Sequence, residues 1–266
     1  MTDHLLEFKN VSLSYDDKQI FKDLNLKIQR GKIIAILGPS GCGKTSFLRL
    51  ASRLIHADTG EILFNGSDIL KLSETEMQLT RQKMGYMFQS NALFTDMNVF
   101  DNIAYPIRAH SHLSEDIIRQ ITLMKLQMVG LRGANQKMPH ELSGGMARRV
   151  SLARSLALDP MLMLYDEPFT GQDPISMKVL VNLIKHFNQC LKMTSIIVTH
   201  DVQEVCEIAD YVYLFESGQI LAQGTPESLK SSRHKKVSQF MKGRLEGDLP
   251  FHYPSIPYIE DLMYES

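Results

Sequence analysis

Long apolar runs are missing. Stretches such as 33–37 and 161–164 are typical of what the 266 residues offer. Both fall far below the ~18–20 residues a helix needs to span a bilayer, so the chain is not expected to cross a membrane by itself. Cysteine is scarce and odd in number: Cys42, Cys190 and Cys206 show neither CxxC nor metal-ligand spacing. That excludes a disulfide framework and fits reduced thiols in a cytosol. An excess of one charge is absent too. With 29 Lys and Arg against 30 Asp and Glu, nothing marks a general polyanion binder, and nucleic acid is not an expected partner. The opening Met1-Thr2-Asp3-His4 has no cationic stretch leading into an apolar one, so the chain is expected to stay in the compartment of its synthesis. Repeats and low-complexity tracts are lacking. What remains, 44% apolar and 22% charged, is the composition of a globular protein able to bury a substantial core.

The first strands alternate. Leu6, Phe8, Val11 and Leu13 precede the polar turn Asp16-Asp17-Lys18, and Ile20, Leu24, Leu26 and Ile28 follow it, predicting an antiparallel hairpin with one buried face. Residues 32–37, 161–165 and 195–198 are instead near-continuously apolar, the mark of parallel strands covered on both faces. Helical stretches lie between them. In 176–191, Val179, Leu180, Leu183, Ile184 and Phe187 are spaced to form one buried face. Strand, helix, strand in this order predicts an α/β fold. The segment from about Asn98 to Ala157 holds helix patterns without a buried-strand run and reads as a helical insertion, with Ser114 before Glu115 and Asp116 as an N-cap. Beyond Ser231, the spacing of Val237, Phe240, Met241 and Leu245 predicts an amphipathic helix. Pro250, Pro254 and Pro257 then alternate with Phe251, Tyr253 and Tyr258, predicting an extended arm. The expected organisation is a core domain over 1–230, carrying the insertion at about 98–157, and a C-terminal helix and arm over 231–266.

Gly38-Pro39-Ser40-Gly41-Cys42-Gly43-Lys44-Thr45 follows a buried strand and precedes a helical stretch, the context in which a GxxxxGKT loop cradles phosphate. Glycines let backbone amides converge on phosphate oxygens, and the next helix presents its positive end. Lys44 is expected to reach the β- and γ-phosphates, and Thr45 to offer a hydroxyl to Mg²⁺. A plain glycine-rich turn needs neither residue. The strand at 161–165 ends in Asp166 and Glu167, at the edge where open α/β sheets bind ligands. Asp166 is assigned to Mg²⁺, and Glu167 to orienting and deprotonating an attacking water. Two solvated acids at a loop start would be the plainer account without the glycine-rich loop. His200, after the apolar 194–198, reaches the same edge, where it either donates to the γ-phosphate or has a structural purpose. Gln89, closing the run 84–88, can touch the metal or its water.

Leu142-Ser143-Gly144-Gly145-Met146, followed by a helical stretch at 147–154, resembles the signature motif of ATP-binding cassette (ABC) ATPases. With the phosphate loop, Gln89, the Asp166-Glu167 pair and His200 in the family's order, the resemblance covers roughly Leu5 to Lys230. It implies a P-loop, RecA-like ATPase core with an N-terminal antiparallel β layer and an inserted helical subdomain, using ATP and Mg²⁺. Tyr15 falls where the family stacks an aromatic ring on adenine; the alternative is a strand core residue. Asp173 matches the aspartate of the dimer-contact loop, although Thr170-Gly171-Gln172-Asp173 replaces the usual Ser-Ala-Leu-Asp. The Ser143-Gly144-Gly145 turn offers a hydroxyl and free amides at a helix N-terminus, so one chain carries two phosphate-binding surfaces but one Lys44. In the family a head-to-tail homodimer resolves this, each signature capping the ATP on the other protomer's loop.

Three features are less common in the family: Met146-Ala147-Arg148-Arg149 where most signatures continue with Gln, Phe169-Thr170-Gly171-Gln172-Asp173-Pro174, and Pro250-Phe251-His252-Tyr253-Pro254. They are similar to the ABC ATPases that serve phospholipid traffic between the inner and outer membranes of Gram-negative bacteria. That likeness implies a peripheral ATPase on the cytoplasmic face of the inner membrane. Its implied partners are integral-membrane permease subunits, a small STAS-type accessory subunit and a periplasmic lipid-binding protein. A permease would be received near Gln89, at Asn91, Leu93, Phe94 and Met97, unless those side chains belong to the core. The alternatives are an importer ATPase for a small polar solute and a soluble ABC ATPase outside transport. Against the latter, neither a long coiled-coil insertion nor a second cassette is present. The arm at 250–264 either docks on the sister ATPase or an accessory subunit or forms a disordered tail. Arg233, Lys235 and Lys236 either touch anionic lipid or form a solvated face.

Overall fold

Alternating burial builds the first layer. In this computed structural model, which describes residues 3–16, 18–244, 259 and 263, β1 (His4–Tyr15) and β2 (Lys18–Gln29) pair antiparallel with Leu6 opposite Ile28 and Leu13 opposite Phe21. β3 (Ile33–Leu37) runs into α1 (Lys44–Ala51), after which β4 (Thr59–Phe64) and β5 (Ser67–Asp68) return to the first sheet, ordered β2-β1-β4-β5. α2 (Glu74–Arg81) starts at a capping box between Ser73 and Glu76 and leads to β6 (Met84–Met87). The predicted insertion follows as α3 (Val99–His110), α4 (Glu115–Met128) and α5 (Gly144–Ser155).

β7 (Leu162–Asp166), α6 (Pro174–Leu191), β8 (Thr194–Val198) and α7 (Val202–Cys206) precede a hairpin of β9 (Tyr211–Glu216) and β10 (Gln219–Gly224). These strands and β3 and β6 form a second sheet, ordered β10-β9-β3-β8-β7-β6. Every residue of β3, β7 and β8 is buried, which is why their sequences are apolar without alternation. Between the sheets, the Phe47 ring of α1 stacks on Phe8 with centroids 4.7 Å apart and meets Phe215 edge-on at 5.8 Å. Burying such a ring contributes ~1.5–3 kcal/mol, and here it fixes the helix that begins at Lys44. Residues 1–226 form one unit by internal contacts and 227–266 a second. α8 (Pro226–Lys230) straddles that division, and α9 (Lys235–Lys242) follows with Val237 and Met241 buried.

Two expectations need correction. On α6, Val179 is exposed and Val181 takes a buried place beside Leu180, Ile184 and Phe187; apolar residues surround the N-terminal half of this helix, so periodicity does not single out one face. Ser114 occupies the N-cap position of α4, but its side chain makes no capping hydrogen bond. In the arm, Ile259 and Met263 are helical. The rest of the 250–264 arm and Leu245 lie outside the described residues.

Gly85 on β6 sets the approach of α5. A Cβ there would lie 2.2 Å from Met163 Sδ and 2.5 Å from the Ser155 carbonyl oxygen, and the second neighbour is backbone that cannot rotate away. Gly85→Ala is expected to cost about 1–3 kcal/mol and to lower the melting temperature by several degrees; an unchanged melting curve would refute this packing account.

Candidate active site

β3, β8, β7 and β6 are parallel neighbours, so their C-terminal ends share one edge, and each delivers part of a site. After β3, the loop from Gly38 winds into α1. Gly43 caps that helix at φ 103, a conformation open to glycine, and a Cβ there would come within 2.7 Å of the Phe21 ring. Lys44 is buried. Its Nζ donates to the carbonyls of Gly38 (2.8 Å) and Pro39 (3.3 Å) and lies 3.9 Å from Glu167 Oε1. Cys42 is buried as well, and burial pushes its thiol up, leaving it neutral within the loop.

After β7, Asp166 accepts from the Thr45 hydroxyl at 3.0 Å and from the Tyr86 hydroxyl at 3.3 Å. Burial raises its carboxyl above the usual carboxylate range, and those two bonds pull it back only in part. Burial also pushes Tyr86 up, so it stays a donor. Glu167 adopts φ 46, a disfavoured region that costs a non-glycine residue about 1–3 kcal/mol. Its Oε2 lies 2.9 Å from His200 Nδ1 and accepts from the His200 backbone N–H at 3.3 Å. Glu167 therefore bridges Lys44 on one side and His200 on the other. Asp201 joins them: one ligand atom each from Glu167, His200 and Asp201 fall within 4.8 Å of one another.

A cleft of about 340 Å³ is lined by Ile20, Ser40, Gly41, Gly43, Lys44, Thr45, Ser46, Gln89, Glu167 and His200. Gln89, exposed at the end of β6, thus faces the same space as the residues after β3, β7 and β8. Pro39 and Cys42 belong to the loop without lining the cleft, and Asp166 sits behind Thr45. Tyr15 is exposed at the end of β1 and does not line it, so the strand-core account of Tyr15 is excluded. Ser143, Gly144, Gly145 and Asp173 are absent from the lining too. Ser143 caps α5 by accepting from Met146 N–H at 3.3 Å. Asp173 caps α6 through the Ile175 and Ser176 amides, and hydrogen bonding from the Ser176 side chain, then from these amides, holds its carboxyl below the usual range.

Two contributors escaped sequence reading. The Tyr86–Asp166 bond joins neighbouring strands, and no local motif signals it. Arg148, noted only as a departure from the usual signature, is buried and spans 88–91 and 167–168 with its guanidinium. A larger cavity of about 610 Å³ lies elsewhere, lined in part by Leu79, Phe88, Ala92, Phe94, Tyr105 and Arg154. It holds no constellation of catalytic groups. Of the four residues assigned to a permease contact, Phe94 lines this cavity; Asn91 is instead tied to α5, and Leu93 and Met97 are partly buried.

Residues 21–170 match the family model described as ABC transporter. The chain is 53% identical to the intermembrane phospholipid transport system ATP-binding protein MlaF of Haemophilus influenzae, covering 98% of this chain and 99% of that one. It is 48% identical to the Escherichia coli K12 protein of the same name, covering 98% and 97%. A solved dimer of the ATP-binding cassette MJ0796 in a post-hydrolysis state with ADP and Pi superposes with a TM-score of 0.77 at 27% identity, covering 83% of this chain and 98% of that one.

The raised Asp166 carboxyl has a thermodynamic sign. A group whose folded-state pKa lies above its unfolded value of ~3.9 contributes stability below that value and loses it as pH rises through the folded one. In nucleotide-free buffer with chelator, Asp166→Asn is therefore expected to melt higher than the unsubstituted chain near neutral pH, the gap closing toward pH ~4. A gap independent of pH would contradict the buried-charge account.

Proposed function

The chain belongs to the ABC transporter family as an ATP-hydrolysing subunit, and from that premise we propose that it works as a homodimer driving phospholipid transport between the inner and outer membranes. The observation that carries the dimer is the separation of the two phosphate-binding features. Lys44, Thr45, Gln89, Glu167 and His200 line one cleft, while the Ser143 helix start lies outside its lining. A second copy turned head to tail supplies the missing cap, as fits the likeness to a dimeric cassette. Tyr15 is assigned to adenine and Asp173 to the dimer contact.

Each group then has a task. Backbone amides at the start of α1 and the Lys44 ammonium hold the β- and γ-phosphates. The donor set at Thr45 and Asp166 fits Mg²⁺: two hard oxygens 3.0 Å apart, one on a buried carboxylate whose desolvation outweighs the hydrogen bonds and the Arg49 charge that favour its ionised form. Thr45, Asp166 and Gln89 would hold the ion, which supplies charge neutralisation at the phosphates when bound. Glu167 Oε2 accepts the proton of the attacking water, a role worth ~10²–10⁴ in rate, while His200 orients that carboxylate through its backbone N–H at 3.3 Å and donates from its ring to the γ-phosphate. ATP bridges two copies and its hydrolysis loosens the bridge.

The stroke acts on other subunits, since no described helix is long and apolar enough to cross a membrane. The 610 Å³ groove beside Phe94 suits a short helix of an integral-membrane permease. The phospholipid cargo rests on roughly half-identity over nearly the whole length to two phospholipid transport ATPases. By the same likeness the chain sits on the cytoplasmic face of the inner membrane, with a STAS-type accessory subunit and a periplasmic lipid-binding protein as further partners. Purification of the complex from native membranes is expected to yield a multi-span permease with phospholipid; ribosomes or DNA in its place would overturn the assignment.

Glu167→Gln is expected to lower turnover at least ~10²-fold while ATP-bound dimers accumulate in size-exclusion chromatography. Ser143→Arg and Lys44→Ala are each expected to be inactive, Ser143→Arg still binding ATP. Mixed together, the two variants recover part of the activity, because a heterodimer keeps one intact composite site. No recovery on mixing, or full-rate hydrolysis by an isolated monomer, would exclude shared sites.

A further inference from the structure

The signature helix does more than present its own N-terminus. Five residues into α5's capping motif, Arg148 is 2% exposed, and its guanidinium reaches two separate segments of the cleft. Nε donates to the Pro168 carbonyl at 2.8 Å and Nη2 to the Glu167 carbonyl at 2.7 Å. Nη1 is shared among the Phe88 carbonyl (3.1 Å), the Gln89 carbonyl (2.6 Å) and Asn91 Oδ1 (2.8 Å). One side chain thus holds the backbones of Gln89 and Glu167, which come from the ends of different strands.

These segments need holding. Glu167, Asn91 and Ala92 all adopt positive φ, at 46, 62 and 51, a region disfavoured for residues with a Cβ, least so for Asn. The constraint comes from α5: besides Arg148, Ser151 Oγ donates to the Asn91 carbonyl at 2.9 Å and Arg154 Nη1 to the Ala92 carbonyl at 2.8 Å. Arg148 alone reaches both segments. A planar fork of five donors can do this; an ammonium, with three donors on one atom, cannot span the same acceptors.

We propose that Arg148 is a positioning residue for hydrolysis, holding Gln89 and Glu167 of its own protomer in register with the α5 N-terminus that serves the partner's nucleotide. The inference rests on the composite-site reading above and extends it. Because α5 is rigid over the turn between Ser143 and Arg148, ~1.5 Å per residue, a shift of its N-terminus on the partner's nucleotide is passed to the Gln89 and Glu167 carbonyls. Each site is then tuned by occupancy of the other.

The test uses the full-length chain, with and without its permease, and two substitutions, Arg148→Lys and Arg148→Gln. Variants that bind a fluorescent ATP analogue within about two-fold of the unsubstituted chain are the folded ones and are read for turnover. Their kcat is expected to fall ~10-fold or more, in line with the sensitivity of hydrolysis to small misplacements, while KM changes little and the Hill coefficient for ATP drops toward one. Arg53→Lys is the control for loss of a buried arginine network: Arg53 donates to the Ile69 and Leu72 carbonyls, away from the cleft, and kcat is expected to hold. Undiminished kcat in a folded Arg148 variant, or an equal loss in Arg53→Lys, overturns the inference alone. An unsubstituted chain that binds ATP and never hydrolyses it overturns the functional reading beneath it.

Discussion

The site depends on parallel strands ending together. β3, β8, β7 and β6 are held in register by their ladders, and β3, β7 and β8 are sealed on both faces by apolar side chains. Their backbone groups have no freedom to slip without exposing a row of Val, Ile and Leu. Residues distant in sequence (Thr45, Gln89, Asp166 and His200) are therefore brought to one edge by burial of side chains that take no part in chemistry. The cost falls at that edge, where Glu167 leaves the ladder at positive φ and Asp166 keeps a desolvated carboxylate.

Two layers of support stand behind this edge. Phe47, packed between Phe8 and Phe215, anchors the helix that carries Lys44 and Thr45. On the other side, α5 approaches β6 closely because Gly85 offers no side chain. That approach brings Arg148, Ser151 and Arg154 within reach of the carbonyls at 88–92. Asn102 performs a similar office inside the helical insertion. Its amide donates to the Phe94, Met97 and Asn98 carbonyls and accepts from the Phe94 N–H, tying the segment beside the larger groove to α3.

How much of this could be read from the sequence follows from the range of each interaction. The glycine-rich loop and the paired acids are compact patterns whose geometry is set by neighbours a few residues away, so the placing of residues 38–45, Asp166 and Glu167 at strand ends was legible by type and spacing, while Ser143 was marked out by the resemblance of 142–146 to a family motif. The buried strands were legible because burial on both faces leaves an unmistakable apolar run. The exposed Val179 was not, since α6 carries apolar residues on more than one face near its start and only packing chooses among them. The uncapped Ser114 shows the same limit: a capping residue at the right place still has to turn its hydroxyl inward. The Tyr86 bond to Asp166 and the reach of Arg148 are contacts across the fold, and no local pattern encodes them.

The partners of Arg148 carry a further consequence. Four of its five acceptors are main-chain carbonyls, of Phe88, Gln89, Glu167 and Pro168, and every amino acid supplies the same carbonyl. Mutational drift at Phe88 or Pro168 can change shape and polarity there without removing a bond to the guanidinium. The main-chain part of the tether leaves no pair of residues to covary, because only its arginine end is written in the genetic code; Asn91 is the one acceptor that a substitution could remove.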